Sequence, residues 1–242
     1  MKAWYQKNCI WQETTSLTEA LGLKNFTHGS IAVIGAGGKT SAIFRMAEEF
    51  AAADRRVIIT TTTRMYREPG ILATTAEEAR QQLENQSIVM VGRPAEAGKI
   101  AGLEDVQLQE LAHVADILLI EADGSKRLPL KVPAAHEPVI PAGVDRIILV
   151  AGLSGIGERL SQSCHRAELV CEILKVPMDH VINQEDIGVI LKEGYLRQRI
   201  GKDPQVTVLL NQVDNTELRK LGESIASSLT PYSCILATIK TD

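Results

Sequence analysis

The segment Gly35-Ala36-Gly37-Gly38-Lys39-Thr40-Ser41 gathers residue types suited to holding a phosphate group. Glycines allow backbone N–H groups to turn inward in conformations closed to other residues. Amides arranged in this way at a helix N-terminus form an anion site. Lys39, expected in a solvent-accessible loop, would reach the β- and γ-phosphates of a nucleotide as a point charge. The hydroxyl of Thr40, or of Ser41, would sit on Mg²⁺. The pattern is shorter than the usual G-x-x-x-x-G-K-[ST], because Val33 stands where the first glycine would be.

Two further clusters suit the surroundings of a nucleotide. Thr60-Thr61-Thr62-Thr63-Arg64 follows an apolar run; Thr61 would bind Mg²⁺ or position a water, and Arg64 would meet a phosphate. Glu121 ends another apolar run, where a carboxylate would hold Mg²⁺ directly or through water, or orient a nucleophile. Asp123, before Gly124, competes for that role, so the catalytic candidates are Lys39, Glu121 and Asp123. The loop from Asp123 through Lys126, Arg127 and Lys131 concentrates cations beside these acids and suits a second, anionic ligand. His136-Glu137 follows, with residue types fit for proton transfer but no spacing that fixes a role.

These groups need a scaffold with loops on one side. The runs 30–34, 57–60, 88–91, 117–120, 147–150, 206–210 and 234–237 read as buried strands. Helical patterns fall between them, including 40–53 with Ile43, Met46, Ala47 and Phe50 on one face. Strands alternating with helices predict an α/β fold, P-loop NTPase-like, with a mostly parallel sheet covered by helices on both faces. Ligands of such sheets bind at the carboxyl ends of the strands. The proline-rich stretch 121–144 reads as a long irregular loop, and loops of that length are usually functional or disordered. Residues 158–195 read as mainly helical, giving one domain over 1–242 with a helical insertion at about 155–200. Cys164 and Cys171, seven apart, would share a helix face; buried apolar packing is preferred there over a metal site with His165.

The chain has 242 residues, 45% of them hydrophobic, enough for a well-packed core. With 26 basic and 30 acidic residues, a net charge of -4 gives no electrostatic reason to expect nucleic-acid binding. No apolar run approaches the roughly 18 residues that would span a bilayer. Residues Met1 to Ala20 lack a basic start followed by an apolar core, so the expected location is the cytoplasm.

Three resemblances add to this reading. The phosphate loop resembles the G-x-x-G-K-[ST] form of Mur-type ligases. Asn211-Gln212-Val213-Asp214 resembles the N-K-x-D signature of GTP-binding proteins, in which the Asp reads guanine and the Asn braces neighbouring loops; a plain helix cap is the alternative. Taken together, Gly35 to Ser41, Thr60 to Arg64, Glu121 to Lys126, Leu130 to Pro133, His136 to Pro141, Cys164 to Arg166 and Asn211 to Asp214 resemble the YqeC family of selenium-dependent hydroxylase accessory proteins. The resemblance implies a histidine where Arg64 stands and a lysine where Gln212 stands, so this chain departs from the pattern at both places. It also implies a role in maturing molybdenum hydroxylases that need selenium, with the hydroxylase or its cofactor as partner. The expected ligands are Mg²⁺ and ATP or GTP, bound by Gly35 to Ser41, Arg64, Asn211 and Asp214, with Thr40, Thr61 and Glu121 around the metal. A small-molecule kinase or Mur-like ligase acting on an anionic acceptor, and a nucleotide-loaded module without turnover, stay open. The oligomeric state is open as well.

Overall fold

The computed structural model describes residues 1–67, 72–200 and 205–239. The first half of the chain contains β1 (Lys2–Lys7), β2 (Ile10–Thr14), α1 (Leu17–Ala20), β3 (Gly29–Gly35), α2 (Lys39–Ala52), β4 (Val57–Thr61) and β5 (Arg64–Tyr66). It continues through β6 (Leu72–Ala73), α3 (Ala76–Leu83), β7 (Ile88–Val91), β8 (Arg93–Ala95), β9 (Lys99–Ala101), α4 (Asp105–Ala112) and β10 (Ile117–Glu121). The second half contains β11 (Leu130–Lys131), β12 (Arg146–Gly152), α5 (Leu160–Ser163), β13 (Cys164–His165), α6 (Ala167–Leu174) and α7 (Gln184–Leu191). A π-helical segment (Lys192–Ile200), β14 (Val206–Asn211), α8 (Thr216–Ser228) and β15 (Ser233–Thr238) complete it.

The frame is a ten-stranded sheet in the order β2-β1-β15-β14-β12-β3-β10-β4-β7-β6. Strands β15 to β6 in that order are parallel, and the β1–β2 hairpin adds antiparallel to β15. The fold is therefore α/β with a large, mostly parallel sheet. The side-chain period of two on β3 sorts the core: Ile31 and Val33 pack with Ile43, Met46 and Phe50 of α2, whereas Ala32 and Ile34 face the layer containing Ile187, Ile190 and Ile225. A third cluster joins α3 and α4 to Ile58, Leu118 and Ile120. Helices thus cover both faces, and the strands between them are apolar throughout because neither face meets water.

The chain leaves β3 through α2 toward β4 on one side, and later runs through β12 to β14 and β15 on the other. The strand order reverses at β3, which opens a crevice outside the carboxyl ends at that place. Gly35, Thr61, Glu121, Gly152, Asn211 and Thr238 are the terminal residues of six parallel strands on this edge.

Some elements depart from expectation. The β1–β2 hairpin turns at Asn8 and Cys9, both at positive φ, a mirror-image turn that usually carries glycine and so leaves little signal in Asn-Cys. Strands β5, β9 and β8 form a separate three-stranded sheet, built from segments too short to show a period. Cys164 and Cys171 do not share a helix: the first is on β13 and the second on α6. Burial pushes the Cys164 thiol up to about 12, which fits apolar packing and not a thiolate ligand.

Candidate functional site

The glycine-rich loop connects β3 to α2 by a path that only glycine accommodates at two points. Gly37 and Gly38 have φ of 83° and 112°. A Cβ on Gly37 would lie 2.2 Å from Gly152 N, and one on Gly38 would lie 2.3 Å from Asn211 Nδ2. The opening amides are committed inside the protein: Gly35 N donates to Asp123 Oδ2 at 3.0 Å, Ala36 N to Val150 O at 2.9 Å and Gly37 N to Leu128 O at 3.1 Å. Helix α2 begins with Gly38 as its N-cap and has no side-chain cap. Its first amides, from Lys39 to Ser41, lack intrahelical partners. The part of the loop suited to an anion is therefore the helix start, with Gly35 and Ala36 shaping it from behind.

Lys39 is not in an open loop. It is the first residue of α2 and only 3% exposed. Its Nζ donates to Gly35 O at 2.8 Å and lies 3.1 Å from Asp123 Oδ1. That carboxylate oxygen accepts no aligned hydrogen bond, although the charges are in contact; the pair is electrostatic, not a directed bond. Beside it, Thr40 Oγ1 donates to Glu121 Oε2 at 2.9 Å. Register puts Glu121 opposite Val33 of β3 and Thr61 of β4, so the carboxylate sits next to the glycine-rich loop by strand adjacency alone. Burial raises the Glu121 carboxyl above the ordinary range, against the pull of Lys39 and Thr40.

Asp123 has a different position. It is fully buried, accepting from Gly35 N and from Tyr195 Oη at 3.2 Å, with Lys131 Nζ at 3.1 Å from Oδ2. Lys131 Nζ also donates to Gly124 O at 2.6 Å and pairs with Glu137 at 2.7 Å. Arg166 reaches the same Glu137 oxygen at 2.6 Å. Burial works to raise the Glu137 carboxyl, but Arg166 and Lys131 outweigh it and hold the group at about 2. Burial, with the charge of Asp123, pushes the Tyr195 hydroxyl well above its usual range, so it stays a donor.

Lys131, read from sequence as one of several cations facing an anionic ligand, is instead 2% exposed and committed to this network. Tyr195 is the residue that sequence reasoning missed, while Glu137 and Arg166 were singled out within motifs but given no part in this network. Their available signal was Lys131 between Leu130 and Val132, a lone charge in an apolar run that has to be paired.

The remaining candidates are spread around this centre. Thr61 Oγ1 donates to Glu121 O at 2.7 Å and accepts from Thr63 N at 3.0 Å, so its hydroxyl fastens the β4 and β10 ends together. Arg64 is exposed at the start of β5, paired with Ala101 of the small sheet. Arg127, at positive φ, lies over the Tyr66 ring at 4.2 Å, and Lys99 over the same ring at 4.7 Å. His136 is exposed. Burial and the cations Arg166, Lys131 and Lys126 lower the His165 pKa, and its Nδ1 is buried without a partner. Among the described residues, no group of three or more His, Cys, Asp or Glu side chains is arranged to hold a metal. Mg²⁺ needs less, since it takes one or two protein oxygens with phosphates and waters, and Thr40 with Glu121 supplies hard oxygen donors of that kind.

On the other side of the loop, Asn211 ends β14. Its Nδ2 donates to Gly37 O at 2.9 Å and its Oδ1 accepts from Ile239 N at 3.1 Å. Gln212, at φ 63°, accepts from Ser154 Oγ at 2.6 Å. Asp214 and Ser41 line a cavity of about 960 Å³ together with Phe44, Thr216, Thr238 and Ile239. A larger cavity of about 1130 Å³ lies by Arg146, Val206 and Ser233, at the amino ends of β12, β14 and β15 and so at the edge of the sheet opposite the loop. No helix among the described residues is long and apolar enough to cross a membrane.

The family model described as "YqeC protein" matches residues 31–168. That span holds the glycine-rich loop, Glu121, Asp123, Lys131, Glu137 and Arg166. The chain is also 33% identical over 176 residues, 67% of each chain, to a protein of Escherichia coli (strain K12) described as "Uncharacterized protein YqeC".

Proposed function

The chain belongs to the YqeC family, and we propose that it is a Mg²⁺-dependent nucleoside triphosphatase. In this reading it is a single cytoplasmic domain of P-loop NTPase-like fold that supports maturation of selenium-dependent molybdenum hydroxylases. The observation that carries the nucleotide reading is the 2.9 Å contact of Thr40 Oγ1 with Glu121 Oε2 beside the uncapped start of α2. A hydroxyl and a carboxylate meet there next to free amides and a lysine, which is the donor set a Mg²⁺–triphosphate requires. Bound there, Mg²⁺ would neutralise charge on the β- and γ-phosphates.

The protein groups act as follows. The amides from Lys39 to Ser41 bind phosphate oxygens. Lys39 exchanges Gly35 O for the phosphates while its charge stays near Asp123. Glu121, once deprotonated, holds the metal with Thr40 or orients the attacking water. Asp123 fixes the loop from behind through Gly35 N, and the Lys131 ammonium lies against it at 3.1 Å. The role in hydroxylase maturation rests on the family resemblance, with the hydroxylase or its cofactor as the partner that turnover serves.

One observation favours a second reading. Exposed Lys126 and Arg127, with Lys99 beside Tyr66, bring cations to the loop that follows Asp123; a kinase or Mur-like ligase would use them on an anionic acceptor. Single-turnover reactions with γ-labelled ATP and GTP distinguish the readings. Free labelled phosphate supports the triphosphatase, label on an added anionic acceptor supports the kinase, and intact nucleotide would leave a binding module without turnover.

A further inference from the structure

We propose that Tyr195 is a positioning residue for the triphosphate: through Asp123 it sets the glycine-rich loop, and it ties occupancy of that loop to the π-helical segment Lys192–Ile200. The proposal rests on the nucleotide reading above and concerns how that site is held and how its occupancy is felt elsewhere in the fold.

The two oxygens of Asp123 have different partners. Oδ2 accepts from Gly35 N at 3.0 Å and from Tyr195 Oη at 3.2 Å, and Lys131 Nζ lies 3.1 Å from it. Oδ1 faces the Lys39 ammonium at 3.1 Å. Two lysines already neutralise the carboxylate, so charge does not require the tyrosine hydroxyl. What the hydroxyl adds is direction. It holds Oδ2 toward the backbone of the glycine-rich loop and leaves Oδ1 to the lysine that would serve the phosphates. Both side chains are buried, so bulk water does not take over this bond.

Tyr195 reaches Asp123 by an uncommon backbone. Helix α7 passes directly into the π-helical segment. This wider winding is rare and is frequently found at functional sites. Here it turns two consecutive residues, Tyr195 and Leu196, into the core. Gly194 beside them lies against the chain leaving β11: a Cβ there would be 3.4 Å from Val132 Cγ2 and 3.8 Å from Pro133 Cδ. The segment thus packs on the loop that carries Lys131 and, through one hydroxyl, reaches the carboxylate behind Gly35.

A triphosphate changes the charge balance at that carboxylate. Bound at the start of α2, it shares the Lys39 ammonium with Asp123 and brings negative charge close by. Asp123 is then neutralised less from the Oδ1 side. Hydrogen bonds to an ionised acceptor are strong, and those on the Oδ2 side have to carry more of the charge. Tyr195 Oη tightens, and the π-helical segment that holds it opens less often while nucleotide is bound.

The test uses the full chain, as parent and as Tyr195→Phe. Hydrogen exchange of residues 192–197 is followed by mass spectrometry with and without saturating Mg²⁺–ATP or Mg²⁺–GTP, and affinity is measured by calorimetric titration. In the parent, nucleotide should slow this exchange about 3- to 10-fold, the range that one hydrogen bond accounts for. In Tyr195→Phe at matched saturation the slowing should be lost, and the triphosphate should bind about 3- to 10-fold more weakly. A tyrosine that serves stability alone would lower the melting temperature without moving either readout. Unchanged affinity, or a slowing as large in Tyr195→Phe as in the parent, would overturn the proposal. So would exchange in the parent that is indifferent to a nucleotide that binds. That result decides even if Tyr195→Phe does not fold, and it leaves the nucleotide reading standing. Failure of the parent to bind either nucleotide would overturn both.

Discussion

Replacing Lys131 with Met removes one cation from a place where two carboxylates depend on it. The ammonium is 2% exposed and touches Asp123 at 3.1 Å, Glu137 at 2.7 Å and Gly124 O at 2.6 Å. Met preserves most of the volume, so the loss is electrostatic and not a cavity. Breaking a buried pair by removing one partner costs about 3–5 kcal/mol. In a chain of this length each kcal/mol corresponds to about 2–4 °C, so the melting temperature should fall by about 6–20 °C.

Glu137 supplies a second reading of the same network. Its folded value of about 2 is below the unfolded 4.5. Its stabilisation is therefore fully present above pH 4.5 and is lost as the pH falls toward 2, for an upper limit of about 3 kcal/mol. Glu137→Gln should remove that part of the acid dependence, and adding it to Lys131→Met should recover part of the loss, since one unpaired buried carboxylate is gone. The assay is thermal unfolding followed by circular dichroism from pH 7 to pH 3. A Lys131→Met melting temperature within about 2 °C of the parent, less than 1 kcal/mol, would refute the argument that this ion cluster supports the loop.

Substitutions at Glu121 and Lys39 test the proposed nucleotide site. Glu121→Gln should abolish most of the Mg²⁺ enhancement of nucleotide binding while leaving metal-free binding nearly unchanged, measured by titration with and without chelator. Because burial raises the Glu121 pKa, that enhancement should in the parent be weak at acid pH and grow as the pH rises through the shifted value; a flat pH profile would place the metal elsewhere. Lys39→Ala should lower triphosphate affinity by about tenfold or more, from lost charged hydrogen bonds worth about 1.5–3 kcal/mol each. It should also lower the melting temperature, because Asp123 loses a buried counter-charge.

Seven of the ten strands of the central sheet, β3, β4, β7, β10, β12, β14 and β15, were legible because their burial writes unbroken apolar runs such as Ile31 to Ile34. The position of the glycine-rich loop, Glu121 and Asn211 at the edge where parallel strands end was legible because each follows or closes such a run directly. What escaped is informative in physical terms. Lys39 looked exposed because the glycine-rich run reads as an open loop; in the structure it starts α2 and its Nζ lies on Gly35 O and Asp123. Lys131 looked like a ligand-binding cation because the charges that enclose it, Asp123 and Glu137, are separated from it in sequence and meet it only through the path of the 121–144 loop. Arg166 and Tyr195 lie still further away, on segments following β13 and α7, and no local pattern links them to Asp123. The small β5–β9–β8 sheet and the β1–β2 hairpin were hidden by strands too short or turns too atypical to register.

The central claim is that Thr40 and Glu121 hold Mg²⁺ for a triphosphate bound at the start of α2. Calorimetric titration of the parent with GTP and ATP, with Mg²⁺ and with chelator, tests it most directly. The account predicts binding of at least one triphosphate that Mg²⁺ strengthens, with Glu121→Gln removing the strengthening. Absence of binding by either nucleotide, or binding indifferent to Mg²⁺ in the parent, would contradict it.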